Sequence, residues 1–402
     1  MFPFNEITDF KIDISEEQEL FRKAVREFAE NELANRVMEI ERTNEIPEDL
    51  IERAIKLGFT GIGIPQEYGG QGGGSLMSAI LNEELSRFSP AFASAITINH
   101  LFTIPVLIFG TEEQKRKYIP PIAKGEAFAA HANTEPGAGS DVAGIKTTSR
   151  KEGKYYIING RKYFITGADR AKYFVVSART SEPPSPKERW KGLTFFIVER
   201  DFPGVKVGQK IRVIGLRGEQ PNEVILDNVK VPEENVLGKE GEGFKVAVTT
   251  YDKGRVGVAA QTVGLAQGAF ERAFKYSLER KAFERPIISY EGIAFKIAEM
   301  LMEIQAARLL TYWAATLSDK NRQEAVLAAS LAKVFATEVA EKVSSMAIKI
   351  HGGAGVDQEV GIERYLRDAI ITTIYEGTND IQKITIARQM VKRALGRELG
   401  LM

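Results

Sequence analysis

The chain contains no cysteine, which excludes disulfides, thiol nucleophiles and thiolate metal sites, and fits a reducing, cytoplasmic setting. Histidine is almost as scarce: His100, His131 and His351 lie far apart without ligand spacing, so no metal centre is expected. Neither sign of charge is in excess, because 54 Lys and Arg balance 54 Asp and Glu. Such a chain has no global field to attract nucleic acid or an anionic membrane, and any phosphate it binds must be held locally. There is no G-x-S-x-G, no Walker loop and no G-x-G-x-x-G after a strand. A serine hydrolase, a P-loop NTPase and a Rossmann dehydrogenase each lose their main sequence support. The opening stretch, MFPFNEITDFKIDISEEQEL, is acidic and lacks a basic region before an apolar core, so no signal peptide is expected. No apolar run reads as approaching the roughly 20 residues of a membrane span.

The sequence has 402 residues, enough for two or three domains of about 150 residues with sizeable cores. Ser15 with Gln18 forms a capping-box start, after which Phe21, Val25, Phe28 and Ala29 share one helical face. Pro47 and Gly58 frame a second helix, and helical periodicity returns in LMSAILNEELSRF and SAITINHLFTIPVLIF. From about residue 128 the pattern becomes β-rich. KYYIINGRKYFIT reads as two strands around an Asn159-Gly160 hairpin turn, and YFVVSA, LTFFIVE and EVILDNVKV follow as short strands. After LGKEGEGF, long amphipathic stretches predict an antiparallel four-helix bundle. The expected fold is α+β and mainly α: a helical domain (1–127), a small β-barrel or sandwich domain (128–238) and a four-helix bundle (239–402).

The stretch NTEPGAGSDVAG, residues 133–144, gathers glycines and hydroxyls that could approach a ligand's phosphates or carbonyls, although it also reads as an ordinary turn. IHGGAGVDQE, residues 350–359, is open to the same two readings, as a binding loop or a helix cap. Arg280 ends a helix, where a cation is favourable in any case. Arg255 in YDKGRVGVAAQ has small apolar neighbours, so it is expected to be buried and to need a carboxylate or ligand. Glu376, in ITTIYEGTNDIQK, is a lone acid just before a helical run.

Taken in order, these stretches resemble the acyl-CoA dehydrogenase family, flavoproteins that introduce an α,β double bond into acyl-CoA thioesters. One signature is matched by Thr134, Glu135, Ala138, Gly139, Ser140 and Asp141, the other by Gly352, Gly353, Gly355, Glu359, Arg364 and Asp368. The resemblance covers nearly the whole chain, and its architecture is also helical, β, helical. It implies FAD as cofactor, Glu376 as the catalytic base that removes the α-proton, and an oxyanion arrangement at the thioester carbonyl. Burial is expected to raise the pKa of that carboxylate. Some relatives carry the base immediately before the arginine of the Asp252–Arg255 stretch, a position occupied here by Gly254.

The same resemblance implies that His131, Asn133, Thr134, Gly139 and Ser140 wrap the flavin, with Phe164, Ile165 and Thr166 against its ring system. Arg280, Phe283, Tyr290, Lys349, Gly352 and Gly353 match segments that hold the diphosphate and adenosine, partly across a subunit boundary. Tyr375, Thr378 and Asp380 match the cap over the cofactor, while Ser140, Asp252, Arg255 and Gly377 match the substrate side. Three positions depart from the family pattern. Asn133 replaces an aliphatic residue, and Glu291 and Lys349 stand where relatives commonly have Gln, either as a compensating pair or with Lys349 adding charge near the diphosphate. FASAITINHLFTIP matches the acyl pocket, which Asn99 or His100 could make polar.

The implied partners are an acyl-CoA substrate, an electron-transfer flavoprotein and further copies in a homotetramer, as in fatty-acid β-oxidation. Nucleic acid and membrane are not expected. The rival readings are an acyl-CoA oxidase or an enoyl-CoA reductase on the same scaffold, or a non-catalytic relative serving binding, assembly or DNA. Retention of Glu376 with the flavin motifs disfavours a binding or assembly role, and zero net charge disfavours DNA.

Overall fold

The Ser15 hydroxyl accepts the Gln18 N–H at 3.2 Å, while the Gln18 side chain accepts the Ser15 N–H at 2.9 Å. This capping box opens α1 (Glu16–Phe28), whose Val25 and Phe28 are buried as the spacing predicts. The computed structural model describes residues 14–396. After α1 come α2 (Val37–Thr43), α3 (Glu48–Lys56), α4 (Gly74–Ser86), α5 (Pro90–Thr97), α6 (His100–Phe109) and α7 (Glu112–Ala123). Pro47 stands before α3, and Gly58, at φ +78, follows its end.

One expectation fails in this domain. Pro90–Phe109 is long and apolar enough by composition to cross a membrane, contrary to the sequence reading. Here it is two helices, α5 and α6, interrupted at Ile98 and Asn99, and more than half of the stretch is buried. Asn99 is 1% exposed, and its Oδ1 accepts the Ala129 N–H at 2.7 Å, tying the break to the first strand.

The middle region is a mixed sheet of β1 (Phe128–Ala132), β2 (Thr148–Glu152), β3 (Tyr155–Ile165), β4 (Ala171–Arg179), β5 (Leu193–Glu199), β6 (Val205–Lys210), β7 (Asn222–Pro232) and β8 (Val236–Leu237). The spatial order is β6-β7-β3-β2-β4-β5-β8, and β1 runs parallel to β4. The Asn159-Gly160 hairpin is not there, because β3 runs straight through it. The turn lies at Gly153-Lys154, with Glu152 paired to Tyr155 and Gly153 at φ +60. Asn159 instead accepts the Asn228 N–H of β7 at 2.8 Å, where the ladder slips between Ile158 and Gly160. A Cβ on Gly160 would overlap the Thr147 side chain, so this glycine serves a close approach rather than a turn.

The last region holds α8 (Gly243–Glu279), β9 (Lys281–Ala282), β10 (Arg285–Pro286), α9 (Glu291–Asp319), α10 (Ala325–His351), α11 (Glu363–Thr372) and α12 (Asn379–Leu395). α8, α9, α10 and α12 form the bundle, with α11 against α8 and α10. Alanines at 259, 260, 266, 269 and 273 of α8 face alanines at 328, 329, 332, 336 and 340 of α10 in one core. Small side chains let these long helices run close together.

α8 also meets α4 backbone to backbone. A Cβ on Gly264 would overlap the Glu83 carbonyl oxygen, and one on Gly268 would overlap that of Arg87. Around this contact the charges are buried in pairs: Glu83 with Arg308 at 2.7 Å, Glu84 with Arg26 at 2.7 Å, and Arg87 with Glu271 at 2.8 Å. Gly264→Ala is therefore expected to push α4 from α8 and destabilise the protein by about 3 kcal/mol. Thermal unfolding followed by circular dichroism checks this, and an unchanged melting temperature refutes the contact.

Candidate active site

The loop between α11 and α12 places Glu376 at φ +51 and Gly377 at φ +94, two left-handed residues in succession. For a glutamate this conformation is uncommon and needs outside support. Thr378 supplies part of it by capping α12, its hydroxyl accepting the Ile381 N–H at 3.3 Å. Lys333 of α10, fully buried, donates to the Gly377 carbonyl at 3.0 Å and to Asn379 Oδ1 at 2.9 Å. The Tyr375 hydroxyl donates to Gln261 Oε1 on α8.

Glu376 Oε2 is buried without a hydrogen-bond partner. It lies against Gly254, where a Cβ would overlap it. A side chain at 254 and this glutamate compete for one space, the physical content of the alternative base position noted in the sequence. Burial raises the Glu376 carboxyl to about 7, although Arg255 and Lys333 both pull it back. Burial likewise pushes Lys333 down to about 8, against the attraction of Glu376.

Glu376 and Gly254 line a cavity of about 450 Å³ between α4, α5, α6 and α8. Arg255 is buried as predicted and pairs with Asp252 in the preceding helical turn. Burial raises the Asp252 carboxyl even beside that guanidinium. Asn133 Nδ2 donates to the Tyr251 hydroxyl at 2.9 Å, and the His131 ring stands edge-on to Tyr251 at 5.3 Å. Burial pushes His131 down to about 4, so it is neutral near pH 7. His131 Nε2 and Asn133 Oδ1 are buried and unpartnered. His100 faces the cavity, its Nε2 2.9 Å from the Ile62 carbonyl oxygen, whereas Asn99 turns to the β1 backbone.

The other sequence candidates fall into two groups. Thr134, Gly139, Ser140, Phe164, Ile165 and Thr166 lie on the β-domain side near Asn133, where the Thr134 carbonyl accepts the Tyr163 N–H at 2.9 Å. Phe164 is 52% exposed at φ +58, and the Cβ positions of Gly137 and Gly139 have nothing within 4 Å. A bare backbone, an uncovered ring and two orphaned buried polar atoms fit a flat polar ligand such as the flavin. Arg280, Phe283, Tyr290, Lys349, Gly352 and Gly353 are not part of this cluster. Arg280 lies 25 residues beyond Arg255 along α8, roughly 37 Å at the helical rise. Phe283 is 91% exposed, and among the described residues no atom lies within 4 Å of a Cβ placed on Gly352 or Gly353. Among the described residues no ion pair joins Glu291 to Lys349, so the compensating-pair idea does not hold within one chain. Asp380 is exposed in the first turn of α12.

Sequence reasoning missed Lys333, Tyr251 and Gln261. Lys333 left a signal: a lysine between Ala332 and Val334, with Ala329 and Ala336 one turn away on either side, interrupts an apolar face.

Family models described as the acyl-CoA dehydrogenase N-terminal, middle and C-terminal domains match residues 15–126, 130–229 and 241–391. The chain is 41% identical over 379 residues to an acyl-CoA dehydrogenase of Bacillus subtilis, covering 94% of this chain and 99% of that one. It is also 41% identical over 381 residues to the caffeyl-CoA reductase–Etf complex subunit CarC of Acetobacterium woodii, with the same coverage. Among solved structures it superposes on butyryl-CoA dehydrogenase from Megasphaera elsdenii with a TM-score of 0.90 at 36% identity, covering 95% of this chain and all of that one. The fold, the buried glutamate and these matches together make the chain a member of the acyl-CoA dehydrogenase family, FAD-dependent oxidoreductases that act on acyl-CoA.

Proposed function

We propose that the protein oxidises a saturated acyl-CoA thioester to the trans-2-enoyl-CoA, with Glu376 removing the α-proton, and delivers the electrons to an electron-transfer flavoprotein. The observation that carries this reading is a glutamate that lines the cavity with one carboxylate oxygen buried and unpartnered against Gly254, its pKa raised to about 7. FAD, when bound, supplies the two-electron acceptor for the hydride leaving Cβ. Glu376 removes the proton, and its backbone N–H is one donor to the thioester carbonyl. Lys333 and Thr378 keep the loop in its left-handed form, and Arg255 with Asp252 holds the substrate side. His131, Asn133, Thr134, Gly139, Ser140, Phe164, Ile165 and Thr166 would border the flavin, under a cap of Tyr375, Thr378 and Asp380, with Ser140 and Gly377 towards the substrate.

The separation of Arg280, Phe283, Tyr290, Lys349, Gly352 and Gly353 from this cluster supports their serving the FAD of a neighbouring copy. A row of exposed apolar residues on α9, Phe295, Met302 and Leu309, each more than half exposed, supports a homotetramer. A second reading, reduction of an enoyl-CoA at the same site, is favoured by the caffeyl-CoA reductase subunit being as similar as the dehydrogenase. Flavin bleached anaerobically by acyl-CoA favours the first, and chemically reduced flavin reoxidised only by enoyl-CoA favours the second.

Catalysis needs Glu376 ionised. A carboxyl raised to about 7 is protonated below that pH, so kcat/KM should climb as pH rises through about 7. Glu376→Gln should lower kcat by about 10²-fold or more while leaving the flavin bound; a variant that still bleaches at the native rate would remove the assignment. Gly254→Ala should displace the carboxylate and cost about 10²-fold in kcat. Its melting temperature should not change, because the overlapped atom is the tip of a flexible side chain. Leu309→Glu should shift the sedimentation coefficient to a smaller species and loosen FAD together, and an unchanged coefficient would reject the α9 interface.

A further inference from the structure

We propose that the acyl cavity ends in a recognition patch for an uncharged hydrogen-bonding group on the acyl chain, a hydroxyl, phenol or amide, formed by Ser78, Asn82, Ser94 and Thr97. The proposal rests on the acyl-CoA reading above and adds the substrate class. All four residues line the same cavity as Glu376. Ser78 and Asn82 are one turn apart on α4, Ser94 and Thr97 one turn apart on α5, and α4 and α5 pack against each other.

Their internal bonds orient the patch and leave capacity unused. Thr97 Oγ1 lies 2.8 Å from the Ala93 carbonyl oxygen and 3.0 Å from Asn82 Oδ1, one proton shared between them, and Asn82 Nδ2 donates to the Ser78 carbonyl at 2.8 Å. The second Nδ2 proton of Asn82 has no partner in these bonds. The hydroxyls of Ser78 and Ser94 have no hydrogen-bond partner among the described residues, although Ser94 is only 8% exposed. Gly257 of α8 stands against Asn82, a Cβ there lying 3.9 Å from Nδ2, and Asn82 as a whole is only 4% exposed. Gly257 is three residues beyond Gly254, so the patch begins roughly 5 Å along the helix from the base. A purely aliphatic chain of that length would press methylenes against unpaired hydroxyls and an amide. Asp319, also in the cavity wall, already accepts the N–H groups of Ser75 and Leu76 at 2.6 and 3.1 Å. Lys253 is the cation in the wall.

The test is calorimetric binding to FAD-loaded Glu376→Gln protein, which stops turnover, of a matched series: 6-hydroxyhexanoyl-CoA, heptanoyl-CoA and adipoyl-CoA. The hydroxyl member is expected to bind about tenfold more tightly than heptanoyl-CoA, because a site built for a hydroxyl rejects the analogue lacking it. Adding Ser78→Ala with Ser94→Ala should erase that difference, weakening 6-hydroxyhexanoyl-CoA while heptanoyl-CoA binds at least as tightly as before. Should that combination fail to fold or hold FAD, Thr97→Val is the substitute, with the same loss expected. Heptanoyl-CoA binding as tightly as the hydroxyl member would overturn the patch, as would a difference that survives the substitutions. Tightest binding by adipoyl-CoA would overturn it too and move selection to Lys253. Binding is read without chemistry. A protein with the hydroxyl preference whose native form is bleached by none of the three keeps the patch and loses the dehydrogenation reading.

Discussion

The contact between α4 and α8 sets how closely two walls of the cavity beside Glu376 approach each other. Glycines at 264 and 268 let the two backbones touch, and the charges this approach buries are paired in place. Gly257 and Gly254, roughly two to three turns before Gly264 on α8, lie in the wall of the cavity that Glu376 shares with α4, α5 and α6. A core as dense as an organic crystal transmits such a constraint without slack.

Within that cavity, strain and burial act on one residue. Glu376 sits in a left-handed conformation that costs energy, held by hydrogen bonds from Lys333 to the Gly377 carbonyl and the Asn379 side chain that follow it. Lys333, which makes those bonds, also carries the positive charge that limits how far burial can raise the carboxyl. One buried cation therefore serves shape and electrostatics together. Arg255 acts in the same sense, and its own charge is balanced by Asp252. The result is a carboxylate poised near neutrality rather than fixed in either form.

Much of the fold was legible because its signals are local. The Ser15 capping box, the Pro47 and Gly58 frame and the amphipathic runs of the bundle each depend on residues within a turn or two. Asn159-Gly160 misled because its local preference for a tight turn was overridden by pairing with β7 and by the packing of Thr147 over Gly160. The apolar length of Pro90–Phe109 was overlooked in the sequence. That length is real, but a buried asparagine that bonds β1 breaks the stretch into two core helices.

For the site, the sequence by itself determined which residue types were available: one glutamate before a helix, glycine at 254, an arginine among small neighbours and two glycine-rich stretches. These are properties of short segments, and a motif carries them intact. Only the tertiary structure decided that Glu376 and Gly254, 122 positions apart, compete for one volume, that Lys333 supports the loop, and that Arg280 lies roughly 37 Å from Arg255. Burial, which sets the titration of Glu376, is a sum over elements from all parts of the chain. No single segment contains that sum, because the desolvation of one carboxylate depends on every helix packed around it.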